Sequence, residues 1–184
     1  KKTLSVCAEN NINNIEIGSN HCYEKSLDYI NDFSNFNFIV HNYFPVPKHD
    51  FVVNIASLND ELRKKSLLHI INSIDFCKKI NASLLTFHPG FLTDPSGAKL
   101  FSKNYDFNWN RNDLKNTDYK NTFNNMISSL EEIIDYANNS KIRISIETEG
   151  SFNQNQHLIM QKPEEYEKLF TYFSKNELGI NCNI

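Results

Sequence analysis

Three side chains that can bind a metal ion each follow directly on a short apolar run. His41 follows Phe38–Val40, His88 follows Leu84–Phe87, and Glu147 follows Ile142–Ile146. Each run is typical of a buried strand, and in parallel α/β folds the C-terminal strand ends form the active face. Neutral imidazoles and a carboxylate suit Zn²⁺, Mn²⁺ or Fe²⁺. If the three runs are neighbouring strands, this pattern predicts a divalent-metal site.

The alternation of side chains along a strand predicts where Glu147 points. Ser145 and Glu147 lie on one face of the run, and Ile144 and Ile146 on the other. In a barrel the apolar face meets the helices, so Glu147 is expected to point inward at the catalytic rim. A buried carboxylate is costly unless it is paired with a cation.

Each of these residues also has a structural interpretation when taken alone. A single histidine at a strand end is usually a satisfied polar residue, and Glu147 could cap a helix or pair with Arg143. Only the matched placement of all three favours a metal or catalytic role.

Other polar residues are weaker candidates. Asn183 and Asn181 share a face at the end of the last apolar run, but an amide is a weaker ligand than a carboxylate. Glu16 is inward by the same alternation, or else a buried structural acid. We expect the remaining four histidines to be structural or on the surface, and the aromatic residues at 101–109 to pack a loop. Those histidines are His21, His49, His69 and His157.

The bulk properties describe an ordinary globular chain. It has 184 residues, 40% hydrophobic and 22% charged, with a net charge of −3. This charge disfavours nucleic acid as a partner, because no overall basic field exists to attract it. No window approaches the roughly 20 apolar residues of a membrane span. The four cysteines form no CxxC pair, so we expect buried free thiols and a cytoplasmic location.

Strand and helix patterns alternate along the whole chain. The order predicts right-handed crossovers and a parallel sheet. Strands are expected at 12–18, 38–41, 83–88, 141–147 and 178–182, and helices at 1–10, 23–32, 59–80, 119–138 and 163–174, with a long loop over 89–118.

This order predicts an α/β fold, a partial TIM (β/α)8 barrel with about five parallel strands. A complete eight-stranded barrel needs about 250 residues. We therefore expect one domain over 1–184, truncated at both ends, that lacks the first strand and the last two. An open doubly wound sheet is the alternative, although no glycine-rich phosphate loop follows the first strand.

At these residues the chain resembles the xylose isomerase-like TIM-barrel superfamily, which includes endonuclease IV and many sugar isomerases and epimerases. The resemblance extends from about Asn14 to Asn183. Its most specific segments are His41-Asn42-Tyr43-Phe44-Pro45, Asn54-Ile55-Ala56-Ser57, Lys65-Ser66, Phe87-His88-Pro89-Gly90, Ile146-Glu147-Thr148-Glu149 and Leu178-Gly179-Ile180-Asn181-Cys182-Asn183.

The resemblance implies roles for matching residues. In the nuclease branch the residues matching His41 and His88 bind one zinc, and the residue matching Glu147 bridges two metals. In the sugar isomerases the residue matching Glu147 binds one divalent metal and can take part in proton transfer. The position of Asn183 is commonly an aspartate ligand, so asparagine is a departure there.

We accordingly assign roles to six residues. Glu147 and His88 are the expected catalytic residues, and His41, Asn42 and Glu16 are expected to bind substrate. The expected ligands of a divalent cation (Mn²⁺, Zn²⁺ or Mg²⁺) are Glu147, His41, His88 and Asn183.

Three functions compete. The favoured one is a sugar or sugar-phosphate isomerase or epimerase that acts on a small carbohydrate by metal-assisted proton transfer. The second is an abasic-site DNA endonuclease, which the two histidines and His88-Pro89-Gly90 favour, and which Phe91 and the segment Ser151–Gln154 disfavour. The third is a non-catalytic carbohydrate-binding relative, suggested by Asn183. Self-association into a homo-oligomer is left open.

Overall fold

A single parallel sheet of five strands forms the centre of the fold. The computed structural model of the chain describes residues 1–18, 22–95, 107–148 and 156–182. The strands are β1 (Asn14–Ile17), β2 (Asn37–His41), β3 (Leu84–Phe87), β4 (Arg143–Glu147) and β5 (Leu178–Asn181). Every neighbouring pair is parallel.

The order of the strands across the sheet decides between the two predicted folds. The strands lie side by side in the order β1-β2-β3-β4-β5, which is also their order in the chain. A doubly wound sheet reverses its strand order at a switch point, and the five described strands show no such reversal. The arrangement is the wall of a (β/α) barrel, so the prediction of a partial TIM barrel is confirmed.

Two long helices cover one face of the sheet. These are α2 (Asp60–Lys79) and α3 (Tyr119–Asn138), which also contact each other. The alternate strand residues that face them are apolar and almost fully buried, and burial of this surface is the main driving force for the fold. The strand side of this core includes Phe38, Val40, Leu85, Phe87, Ile144 and Ile146, and the helix side includes Ile70, Ile74, Phe123, Met126, Leu130 and Ile133.

Both long helices begin at a side-chain cap. The Asn59 carboxamide accepts hydrogen bonds from the backbone N–H groups of Glu61 and Leu62, and the Asp118 carboxylate accepts one from Asn121. Caps of this kind satisfy donors that the first helical turn leaves unpaired. The helix predicted over 59–80 begins at the Asn59 cap, which fixes where α2 leaves the loop after β2.

Three predicted elements were partly wrong. The α-helix expected over 23–32 is instead a 3₁₀ helix at Asp28–Phe33, because only Ile30 and Phe33 reach the core and a tight turn suffices to bury them. The last helix, α4 (Pro163–Leu169), ends at Leu169 rather than Ser174. The first strand begins at Asn14 rather than Ile12.

Two further helices lie outside this sheet and its two long helices, one at the N-terminus and one in the long loop. Helix α1 spans Lys2–Glu9 and buries none of its residues. The loop predicted over 89–118 contains a 3₁₀ helix at Arg111–Asn116. Among the described residues, no helix has the length and apolar character needed to cross a membrane.

The cysteines depart from the expectation of buried thiols. All four are free, but Cys22 and Cys182 are exposed, Cys7 is half-buried, and only Cys77 is buried. Burial raises the pKa of the Cys77 thiol to about 12, which makes it an inert core residue.

Candidate metal centre

His41, His88 and Glu147 converge at the C-terminal edge of the sheet. One ligand atom from each residue can be chosen so that all three atoms lie within 4.8 Å of one another. His41 and Glu147 are the last residues of β2 and β4, and His88 directly follows β3. The sequence predicted this convergence, and the sequential strand order produces it by making β2, β3 and β4 neighbours.

His41 lies between two carboxylates. Its Nδ1 is 3.0 Å from Glu16 Oε1, and its Nε2 is 2.8 Å from Glu147 Oε1. The contact with Glu147 is the largest cause that raises the pKa of His41, and Glu16 adds to it, while burial opposes both. The two carboxylates therefore stabilise the charged form of the imidazole relative to a histidine in water.

The carboxylate of Glu147 has two further partners, one directly after β3 and one on β5. Its Oε2 is 3.6 Å from His88 Nδ1, and its Oε1 accepts a hydrogen bond from Asn181 Nδ2 at 3.1 Å. Glu147 is only 2% exposed. A carboxylate at this depth needs positive charge close by. A cation bound between Glu147 and the two histidines would supply that charge.

The donor set fits a divalent metal of the zinc or manganese type. Two imidazoles and one carboxylate leave coordination positions open for water or substrate, as catalytic sites require. Metal-binding histidines almost always donate their second ring N–H to a carboxylate or carbonyl, and Glu16 stands in that position beside His41. This set suits Mg²⁺ less well, because Mg²⁺ prefers oxygen ligands.

The other predicted site residues are placed as follows. Asn42 lies directly after His41 with a positive φ of 43°, and its backbone N–H donates to the Thr86 carbonyl at 2.6 Å. It therefore shapes the exit from β2. Glu16 is half-exposed rather than buried, with a side-chain exposure of 51%. Asn183 lies outside the described residues.

Sequence reasoning did not identify the contact between Asn181 and Glu147. The alternation of side chains places Asn181 on one face with Asn183 but does not indicate its partner on the neighbouring strand. The register pairs Glu147 with Asn181 across β4 and β5, and no property of the sequence alone fixes that register.

Aromatic side chains close one side of the centre. The ring of Phe91 lies 6.4 Å from that of His88 and packs against Phe107 and Trp109. Trp109 stacks on His157, with 4.6 Å between ring centroids, and His157 Nδ1 is 2.6 Å from Thr93 Oγ1. This cluster packs the loops after β3 and β4, as expected for residues 107 and 109, and residues 101–106 lie outside the described part of the chain.

The chain is similar to known proteins in sequence and in structure. A family model described as xylose isomerase-like TIM barrel matches residues 20–184. The "Probable endonuclease 4" of Buchnera aphidicola subsp. Baizongia pistaciae (strain Bp) is 47% identical over 45 residues, which are 24% of this chain and 16% of that protein.

Solved structures share the fold over nearly the whole chain. A D-tagatose 3-epimerase-like protein superimposes with a TM-score of 0.66 at 21% identity, over 97% of this chain and 59% of that one. A D-psicose 3-epimerase from Clostridium cellulolyticum H10 gives 0.66 at 12% identity, over 98% and 56%. A Thermus thermophilus protein studied after soaking with ZnCl2 gives 0.61 at 14% identity, over 98% and 61%. The chain thus spans somewhat more than half the length of these structures.

Proposed function

Because the chain belongs to the xylose isomerase-like TIM-barrel family, we propose that it is part of a divalent-metal-dependent sugar or sugar-phosphate isomerase or epimerase. The observation that carries this proposal is the convergence of His41, His88 and Glu147 within 4.8 Å at the C-terminal rim. The epimerases among the structures with the same fold support the choice of substrate class.

A divalent cation at this centre would polarise the carbonyl and hydroxyl oxygens of a sugar. The residues of the chain provide the remaining chemistry. The proton on the carbon next to the carbonyl leaves as that C–H bond breaks, and a carboxylate oxygen accepts it and returns it to the neighbouring carbon or to the other face. Glu147 Oε2 is the proposed acceptor, and His88 Nδ1 lies 3.6 Å from it.

Glu16 and His41 have a positioning role in this proposal. The half-exposed Glu16 carboxylate holds Nδ1 of His41 at 3.0 Å, so Nε2 faces Glu147 and the centre. Fixing the ring in this way keeps one tautomer and one orientation available for binding.

The test is hydrogen exchange in D₂O with a panel of aldoses, ketoses and their phosphates. We expect the protein with Mn²⁺ or Zn²⁺ to incorporate deuterium next to the carbonyl of its substrate, as followed by NMR. Glu147→Gln should slow this exchange by at least about 100-fold, since the amide cannot accept the proton. Glu131→Gln on the exposed face of α3 is the matched control. Full exchange in Glu147→Gln would refute the proposal.

An abasic-site endonuclease is the second candidate, and the 45-residue match to an endonuclease 4 favours it. Here the same centre would activate water for attack on a phosphodiester. A duplex with one abasic site separates the two functions. Metal-dependent strand cleavage, with DNA affinity that falls steeply as salt rises, would favour the nuclease, and its absence alongside sugar exchange would favour the isomerase.

A further inference from the structure

We infer that Asn54 is a positioning residue, which sets the place of His88 by holding the loop that follows β3. Asn54 lies in the loop between β2 and α2, and it is fully buried. Asn54 is not one of the residues that form the metal centre. The inference rests on the proposed function, because it gives His88 its role as a ligand.

The carboxamide of Asn54 binds the backbone of Phe91 at two points. Its Oδ1 accepts a hydrogen bond from the Phe91 N–H at 2.9 Å, and its Nδ2 donates to the Phe91 carbonyl at 3.1 Å. The side chain thus satisfies both backbone groups of Phe91, as a neighbouring strand would. Phe91 lies three positions after His88. A two-point contact fixes the orientation of that backbone as well as its distance.

A third bond ties the same amide to a carboxylate. Asn54 Nδ2 also donates to Asp94 Oδ1 at 2.7 Å, and Asp94 Oδ2 accepts from the Ser57 hydroxyl at 2.8 Å. The loop from His88 to Asp94 is therefore attached at two places to the segment 54–57. We call this set of contacts between Asn54, Ser57, Phe91 and Asp94 the loop clasp.

The segment that carries the loop clasp is itself rigidly held. The Ser66 hydroxyl on α2 accepts a hydrogen bond from the Asn54 N–H at 2.9 Å, and the Ser129 hydroxyl on α3 donates to the Ile55 carbonyl at 2.8 Å. Sites that hold a reactive geometry need such support from packed elements. The clasp thus transmits the position of the two long helices to the loop of His88.

Gly90 shows how closely the loop approaches Asn54. A Cβ at Gly90 would lie 2.7 Å from Asn54 Oδ1 and 2.8 Å from the Ala56 side chain, and φ of Gly90 is +115°. Only glycine fits both the space and the backbone conformation. The backbone between His88 and the bonded Phe91 therefore passes directly against Asn54 and Ala56.

The experiment measures Zn²⁺ affinity by calorimetry in Asn54→Asp. This substitution keeps an acceptor for the Phe91 N–H, but it removes the donor and sets two carboxylates against each other at residues 54 and 94. We expect affinity to fall by about 10–100-fold, the range for residues that orient metal ligands. The double variant Asn54→Asp with Asp94→Asn restores a donor between these positions, so it should recover part of the loss.

Asp118→Ala is the matched control, because it removes the N-cap of α3 and no contact of the loop clasp. It should lower thermal stability without weakening Zn²⁺ binding. Wild-type affinity in Asn54→Asp, or an equal loss of affinity in Asp118→Ala, would overturn the positioning role. If Asn54→Asp does not fold, Asp94→Ala gives the same test through a milder break of the loop clasp.

A second readout separates this inference from the proposed function. The imidazole resonances of His88 in the metal-free protein, assigned with His88→Gln, should shift in Asn54→Asp and stay unchanged in Asp118→Ala. If His88→Gln binds Zn²⁺ as tightly as wild type, the metal centre is wrong, and the resonances still decide whether Asn54 positions His88. Unshifted resonances in Asn54→Asp would refute the inference alone.

Discussion

His41 is the residue in which the electrostatics of the centre are concentrated. Its two ring nitrogens meet different carboxylates, from β1 on one side and β4 on the other. A side chain in this position is oriented before any ligand arrives. The interaction with Glu16 is therefore expected to matter for binding even though Glu16 itself points partly to solvent.

Replacing Glu16 with alanine should weaken metal binding. The His41 ring would lose the acceptor for Nδ1 and become free to rotate, so we expect Zn²⁺ affinity to fall about 10–100-fold. Glu16→Gln keeps an acceptor oxygen and should lie between wild type and alanine. Asn14→Ala, two residues earlier on the same face, is the control because its side chain bonds to Asn37 rather than to His41. Calorimetric titration at fixed pH gives the comparison, and equal affinities across the series would contradict it.

His69 predicts how stability depends on pH. Its ring is 6% exposed and packs between Tyr43 and Phe51, and burial lowers its pKa from 6.5 to about 4. The unfolded chain binds a proton at His69 near pH 6.5, whereas the folded protein binds it only near pH 4. The free energy of unfolding should therefore fall as pH drops from about 6.5 to 4. The loss from this residue is on the order of 3 kcal/mol.

The variant His69→Phe removes this titration and keeps an aromatic ring between Tyr43 and Phe51. Urea unfolding at pH 7 and pH 4.5 should then show a smaller loss of stability on acidification than in wild type. The exposed residue His49 offers the control His49→Phe, which should leave the pH dependence unchanged. An unaltered loss in His69→Phe would show that other groups cause the acid sensitivity.

Most of the elements around the centre can be predicted from the sequence, but their tertiary contacts cannot. The strand ends at His41, His88 and Glu147 follow from apolar runs, and the start of α2 follows from Asn59. The prediction of an α-helix over 23–32 was wrong because the spacing of Leu27, Ile30 and Phe33 is also compatible with a short 3₁₀ helix. The loop clasp joins residues 37 and 40 positions apart, and no local pattern specifies such a pairing.

Alanine substitution at two glycines that follow strands should change the stability of the protein to different degrees. Gly90→Ala places a Cβ 2.7 Å from Asn54 Oδ1 at a positive φ, so we expect a destabilisation of about 1–3 kcal/mol. Gly18, after β1, has its nearest contact at 3.8 Å, from His41 Nδ1, and its substitution should change stability little. Chemical denaturation of both variants tests this, and equal effects would contradict the close packing described at Gly90.

For the molecule as a whole, cation binding should appear as thermal stabilisation. A ligand of the folded state alone, at about one hundred times its Kd, adds about 2.7 kcal/mol. For a chain of this size that amounts to a rise in Tm of about 5–10 °C. Differential scanning fluorimetry with Zn²⁺ and Mn²⁺ should show the shift in wild type and lose it in Glu147→Gln. A shift that persists in that variant would place the bound ion elsewhere.

The strand order of the sheet has a consequence for how the protein is made. Because each strand pairs with its neighbour in the chain, a chain leaving the ribosome can add every new strand to the edge of the one before it. His41 and His88 are then in place while Glu147 is still being translated. Binding of a cation at the proposed centre would then be a late step of biosynthesis, because it requires β4. A nascent chain that stops short of β4 carries the two imidazoles without the carboxylate of Glu147.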